Sequence, residues 1–345
     1  MNRRPFRTRT AVIVAVVAAA LTTASAGARA GAEPTADFSA VSAPDGSRIH
    51  DIHPQSDRIL DVGVYSAAMR NVTRVRVFRA VDPNRPAPTL YLLNGADGGA
   101  SGGNWTDRTD VASFFADKQV NVVVPFGGAS SYFTDWRADD PVLGRQRWST
   151  FLTRELPAVI DSGFGGSGVN AVAGISMAGT SVFQLALAAP GLYSAIGSYS
   201  GCVRTSDPQG QLIVDAVVGG RMGNTVNMWG PPTDPAWAAN DPYLHADRLR
   251  GTAIYVSTGT GFPGPLDTLT GPGIHGNPAT LADQLLVGGA LETGAVSCTR
   301  ALRDRFTALA IPATFDFRPA GTHSWGYWQE DLHKSWPMIA AALGE

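Results

Sequence analysis

Lysine is nearly absent from this chain: Lys118 and Lys334 stand alone among 27 basic residues, and five of the arginines (Arg3, Arg4, Arg7, Arg9 and Arg29) fall in the first thirty positions. Setting those thirty residues aside leaves 22 basic against 29 acidic side chains, a balance of −7. No Lys/Arg stripe remains to neutralise phosphates, which argues against a nucleic-acid partner. Cysteine is scarce as well, with only Cys202 and Cys298, too few for a disulfide-built scaffold. There is no H-E-x-x-H, no paired C-x-x-C and no Walker A pattern, so the sequence implies neither a metal nor a nucleotide cofactor. The 39 glycines and 23 prolines follow no three-residue period and form no low-complexity tract, and no repeat of 20–50 residues is visible.

Long apolar runs are missing too. The longest near the N-terminus, 11–21, is far short of the ~20 residues that cross a bilayer. Preceded by arginines and followed by the small-residue sites Ala24-Ser25-Ala26 and Ala28-Arg29-Ala30, it reads as an export signal over residues 1–30, compatible with twin-arginine or Sec export. The expectation is a secreted protein with no transmembrane anchor after cleavage. In an oxidising compartment Cys202 and Cys298 are expected to form one bridge, the alternative being two buried thiols.

Short β-branched or apolar runs at 75–79, 89–93, 120–125, 170–174, 196–200, 253–257 and 314–318 read as strands. Between them, 109–117, 148–162, 176–188, 280–310 and 329–343 carry apolar residues at helical period, with breaks expected at Gly288-Gly289 and Gly294. This alternation predicts an α/β fold with a mostly parallel sheet and helices on both faces, as one domain over 31–345. The stretch 219–240 reads as a long ordered loop of the kind that often forms a lid.

The strongest chemical signal is Gly174-Ile175-Ser176-Met177-Ala178-Gly179, directly after a predicted strand and opening an Ala/Leu-rich helix. Strand, sharp turn and helix in that order raise a serine hydroxyl onto a corner where small neighbours let the elements pack closely, as in a nucleophile elbow. The Met177 backbone N–H is then one oxyanion donor, and a second is expected from the glycine-rich loop Asn94-Gly95-Ala96-Asp97-Gly98-Gly99 after strand 89–93. Among six histidines, His323 fits the base: it follows the last strand and precedes the last helix. For the acid, Asp267 lies in a loop after strand 253–257 and Glu292 in a helical region; spacing does not decide between them. The run Gly259-Thr260-Gly261-Phe262-Pro263-Gly264 matches G-x-G-x-x-G but leads into further Gly and Pro where a dinucleotide fold needs a helix, so it reads as a loop.

With these residues placed, the chain resembles the secreted mycolyltransferases of the antigen 85 esterase family, which have an α/β-hydrolase fold. The resemblance rests on Tyr91-Leu92-Leu93-Asn94-Gly95, on Phe126-Gly127-Gly128-Ala129-Ser130-Ser131-Tyr132-Phe133 and on Trp148-Ser149-Thr150-Phe151. It continues through Asn227-Met228-Trp229-Gly230-Pro231 and Gly321-Thr322-His323-Ser324-Trp325. It implies a catalytic triad of Ser176, Glu292 and His323, choosing Glu292 over Asp267, with oxyanion amides at Ala96 and Met177. The mycobacterial members contact their sugar through Asp-Gly-Leu-Arg; here those positions read Asn94-Gly95-Ala96-Asp97, a loop like that of corynebacterial and nocardial relatives. Asn94 and Asp97 are therefore candidate substrate contacts, and Trp325 a candidate wall of the acyl cleft.

The resemblance further implies a wall-associated acyltransferase without cofactor that moves mycolyl groups from trehalose monomycolate, with a second trehalose mycolate, cell-wall arabinan or a protein serine as acceptor. Two other readings of the same residues are a carboxylesterase that hydrolyses acyl esters and a catalytically silent binding protein.

Overall fold

The computed structural model describes residues 41–345; the expected export signal and the expected domain start at residue 31 lie outside the described residues. Nine strands form one sheet: β1 (Arg48–Pro54), β2 (Ile59–Ser66), β3 (Asn71–Phe78), β4 (Ala87–Leu93), β5 (Asn121–Phe126), β6 (Gly166–Ile175), β7 (Tyr193–Tyr199), β8 (Ala253–Thr258) and β9 (Thr314–Phe317). Their order is β1-β2-β3-β5-β4-β6-β7-β8-β9. The first three strands and β5 pair antiparallel, and from β5 to β9 every pair is parallel.

The principal helices are α1 (Leu156–Phe164), α2 (Met177–Ala188), α3 (Pro208–Gly219), α4 (Gly289–Ala308) and α5 (Trp325–Leu343). Alternate residues of the central strands feed two cores. On one face Tyr91, Leu93 and Val172 pack with Leu156, Val182 and Phe306 of the helices. On the other, Leu90, Leu92 and Ala173 meet Trp105, Leu332 and Ile339. Burial on both faces is why β4, APTLYLL, is apolar at nearly every position rather than alternating.

Several expectations need correction. Strands β1 and β2 were not expected: β1 carries His50 and His53 in a polar stretch, and β2 is interrupted by Asp61 and Gly63. At Gly63 the strand runs beneath the Asp51 side chain: a Cβ there would lie 2.7 Å from Asp51 Oδ2. The glycines at 288, 289 and 294 break nothing. Pro278–Asp283, a π turn at Gln284–Gly288 and α4 follow one another without interruption, and Gly288 and Gly289 keep helical dihedrals. The expected helix 109–117 is instead two single turns, Trp105–Arg108 and Val111–Phe114. Within 219–240 two short helices, Thr225–Trp229 and Pro235–Ala239, bury Trp229 and Trp237 at 1% exposure each, so these aromatics are core rather than lid.

Candidate active site

Register in the parallel half of the sheet aligns the carboxyl ends of β4, β6, β7 and β8, where open α/β sheets bind ligands. The ladder continues one residue beyond these strands: the Ser176 amide donates to Tyr199 O at 2.9 Å, the Ser200 amide to Ser257 O at 2.8 Å and the Arg318 amide to Thr258 O at 2.9 Å. Ser176, Ser200, Gly259 and Arg318 are thereby held on one rim.

Ser176 sits at φ 55°, ψ −123°, a conformation rare for a residue with a Cβ, as the N-cap of α2. The local sequence makes room for this turn. A Cβ on Gly174 would fall 2.7 Å from the Ala178 Cβ, and one on Gly179 would fall 2.9 Å from the Gly201 Cα. Small residues at 174, 178 and 179 are therefore what lets strand and helix close around the serine.

His323 follows β9 and is 9% exposed; its backbone amide donates to Gly288 O at 3.2 Å at the π turn. Its Nδ1 lies 2.8 Å from Glu292 Oε2, and its ring stands edge-on to Trp328, with centroids 4.9 Å apart. A carboxylate can only accept, so Nδ1 donates to Glu292, and in the neutral imidazole Nε2 then carries the lone pair. Among the described residues Nε2 is buried without a hydrogen-bond partner. Ser176 and His323 line the same cavity, of about 170 Å³, but the Ser176–His323 hydrogen bond is not formed in this state. Contacts of this kind often close only around substrate.

Glu292, on the first turn of α4, is wholly buried. Its Oε1 accepts from Ser200 Oγ at 2.9 Å, Thr258 Oγ1 at 3.0 Å, the Gly259 amide and an Arg318 guanidinium nitrogen at 3.3 Å. Burial alone raises a carboxyl's pKa, but the hydrogen bond and charge of His323, with the Gly259 amide and Arg318, hold Glu292 below the usual carboxylate range. It is an anion fixed against the imidazole.

Of the two acids left open by spacing, Asp267 does not reach His323. It accepts from the Gly264 amide at 2.7 Å, Gln284 at 2.7 Å, Thr322 Oγ1 at 2.5 Å and Tyr327 at 2.8 Å, tying the loop after β8 to the residue preceding His323. The loop after β4 lies against the serine: a Cβ on Gly95 would sit 3.4 Å from the Ser176 Cβ. No hydrogen bond occupies the Ala96 amide among the described residues, and the Met177 amide opens α2, where helical N–H groups lack intrahelical partners.

The proposed substrate contacts separate. Asn94 is fully buried, donating to Pro125 O at 3.0 Å and accepting from the Trp105 amide at 3.2 Å, so its side chain holds the loop and does not face the cleft. Asp97 accepts from the Gly99 amide at 3.0 Å within its own turn. Trp325 packs edge-on to Trp105 and Trp328 and borders not the cavity of Ser176 but a second one, of about 370 Å³, lined also by Asp107, Arg108, His275, Asp283 and His323. His323 thus borders both an apolar cavity walled by Met177, Ile213 and Val217 and a second one of mixed polar and apolar lining. His333, on the last helix, pairs with Asp110 at 2.9 Å and stacks on Phe114.

Cys202 and Cys298 form a disulfide that joins the chain just past Ser200 to the helix bearing Glu292. Ser200, Thr258 and Arg318 carry no local signal in the sequence, because they meet Glu292 only through contacts between distant segments. Among the described residues no group of three or more His, Cys, Asp or Glu side chains is arranged to hold a metal ion, and no helix is long and apolar enough to cross a membrane.

Residues 66–339 match the model of the Esterase family, described as “Putative esterase”. The chain is 34% identical over 269 residues to the diacylglycerol acyltransferase/mycolyltransferase Ag85A of Mycobacterium leprae, covering 75% of this chain and 76% of the relative. It is 32% identical over 268 residues to Ag85B of Mycobacterium avium, with the same two coverages. Among solved structures, the Mycobacterium tuberculosis protein MPT51 (FbpC1) superposes with a TM-score of 0.68 at 25% identity, over 84% of this chain and all of that one. An S-formylglutathione hydrolase from Agrobacterium tumefaciens superposes with a TM-score of 0.57 at 16% identity, over 86% and 99% of the two chains, a likeness of fold alone. These neighbours are α/β hydrolases, the architecture expected above.

Proposed function

Since this chain belongs to the esterase family of the antigen 85 mycolyltransferases, an enzyme family of acyl transfer and ester hydrolysis, we propose that it is a secreted acyltransferase working through an acyl-serine intermediate. The observation that carries the reading is the imidazole of His323, clamped at Nδ1 by Glu292 and unpartnered at Nε2 beside Ser176.

In the first step Ser176 Oγ attacks the ester carbonyl of a mycolyl donor such as trehalose monomycolate. The Oγ proton passes to His323 Nε2, and Glu292 stabilises the imidazolium. The Ala96 and Met177 amides receive the oxyanion; one such donor is worth roughly 3–4 kcal/mol in the transition state. The carbon–oxygen bond to the sugar breaks, and the leaving alkoxide takes the proton from Nε2. An acceptor hydroxyl, on a second trehalose mycolate, wall arabinan or a protein serine, then repeats these steps in reverse and frees Ser176. The apolar cavity suits the first few carbons of the acyl chain, and the mixed cavity beyond His323, with Asp107, Arg108 and Asp283 in its wall, suits the alcohol that leaves or enters. Export to the cell wall accords with the disulfide.

The test is incubation of the purified protein with trehalose monomycolate while lipid products are followed by mass. Trehalose dimycolate and free trehalose are expected, and both should vanish in Ser176→Ala. Free mycolic acid as the main product would assign the protein to ester hydrolysis, and no turnover by folded protein would favour a binding role.

A further inference from the structure

Behind the triad lies a second buried ion pair that the acyl-transfer steps do not use. Arg318, the first residue after β9, is 6% exposed, and both carboxylates it meets, Glu292 and Asp331, are 0% exposed. One guanidinium nitrogen reaches Glu292 Oε1 at 3.3 Å, while the other contacts both oxygens of Asp331 on α5, at 2.5 Å to Oδ1. The Arg318 backbone is pinned to Thr258 O, and its guanidinium lies 5.2 Å from the centroid of the Tyr327 ring. We infer that Arg318, oriented by Asp331, is a positioning residue of the acyl-transfer site that fixes Glu292 Oε1 and sets how strongly Glu292 supports the charge on His323. The inference rests on the assignment of Glu292 as the acid of the triad.

A lone carboxylate taken out of water is costly unless it is paired and hydrogen-bonded. Among the described residues facing Glu292, only Arg318 and His323 carry or can carry a full positive charge; Ser200, Thr258 and the Gly259 amide supply neutral donors. Arg318 is therefore shared. Asp331 draws the guanidinium away from Glu292 and leaves that carboxylate enough uncompensated charge to stabilise an imidazolium, while the weaker contact at 3.3 Å keeps Oε1 in place. The remaining ionisable groups around the pair are Asp316, whose charge also acts on Arg318 and Asp331, Tyr327 against the guanidinium, and Tyr255, which is bonded to Asp316 at 2.9 Å. Lys334 contacts Asp316 from the solvent side.

This arrangement predicts opposite effects for its two members. Arg318→Met leaves Glu292 uncompensated, makes His323 more basic and moves the acid limb of Ser176 reactivity to higher pH. Asp331→Asn releases the guanidinium onto Glu292, makes His323 less basic and moves the limb to lower pH. A shift of about half a unit or more is expected in each case from gain or loss of one nearby charge. Arg318→Lys keeps the charge but loses the fork, and should return the limb to its wild-type position with a lower plateau rate.

The experiment is the rate of covalent labelling by a fluorophosphonate against pH for the full chain and the three variants, with Ser176→Ala as control. Opposite displacement of the two limbs, with recovery in Arg318→Lys, supports the inference. Displacement in the same direction, or unmoved limbs with only lower rates, overturns it, and Asp331→Asn alone decides if Arg318→Met does not fold. Labelling that persists in Ser176→Ala, or is absent from the folded wild type, would instead defeat the triad assignment on which the inference stands.

Discussion

Replacing Glu292 by glutamine changes one atom, and the surroundings of that carboxylate dictate the consequence. A glutamine offers one oxygen and one NH₂ where the wild type has two acceptors. The Gly259 amide and the Arg318 guanidinium, which can only donate, converge on the Oε1 position with Ser200 and Thr258. The side-chain oxygen must occupy that position, since NH₂ there would abandon several hydrogen bonds, each worth about 1.5–3 kcal/mol when a charged group takes part. The NH₂ then faces His323 Nδ1 at the place where Oε2 now lies 2.8 Å away. Nδ1 has to accept, the ring proton moves to Nε2, and the imidazole becomes a donor toward Ser176 where a base is required. Loss of the base tautomer through such a change costs roughly 10⁴-fold in kcat, about 5.5 kcal/mol. The assay is hydrolysis of a short p-nitrophenyl ester alongside thermal unfolding, so that lost activity is separated from lost structure. A folded Glu292→Gln protein with kcat within tenfold of wild type would refute the reasoning.

Asp267→Asn should act in the opposite way, lowering the melting temperature because four donors meet that carboxylate, while kcat falls by no more than about tenfold; a loss matching that of Glu292→Gln would exchange the roles of the two acids. Replacing Cys202 and Cys298 together by alanine opens a loop with a sequence separation of 96 residues and should cost about 4–5 kcal/mol in denaturant unfolding; a change below about 1 kcal/mol would show that the bridge carries little of the stability. Acidification supplies a third check. A carboxyl held below its unfolded pKa stabilises the fold at higher pH and loses that contribution as pH falls through the folded value. Wild type should therefore lose stability below about pH 4.5, the ordinary value for a glutamic acid, and Glu292→Gln should lack that part of the loss. Parallel curves for the two proteins would count against an ionised Glu292.

What could be read from the sequence follows the range of the interactions involved. The turn at Ser176 is local: Gly174, Ala178 and Gly179 declare by their size that a strand and a helix approach closely there, and the preceding apolar run marks the strand. His323 was legible from its place between the last strand and last helix. Glu292 was not, because it lies within a helix whose neighbours in sequence say nothing of the imidazole 31 residues away; the family resemblance alone selected it. Arg318 and Asp331 escaped notice for the same reason, being 13 residues apart on different elements and meeting only through the fold. Asn94 misled in the other direction. The resemblance made it a candidate substrate contact, yet tertiary burial spends its amide on Pro125 and Trp105. The two outermost antiparallel strands were missed because polar residues interrupt β1 and β2, whereas β4 to β8, buried inside the sheet, declared themselves by composition.

The most direct test is a crystal structure of the protein after reaction with a fluorophosphonate ester. Acyl-serine chemistry predicts phosphorus bonded to Ser176 Oγ, one phosphonyl oxygen about 3 Å from both the Ala96 and Met177 amide nitrogens, and Nε2 of His323 turned toward the adduct. An unmodified Ser176 in well-ordered density, or an adduct whose oxygen points away from both amides, would contradict it.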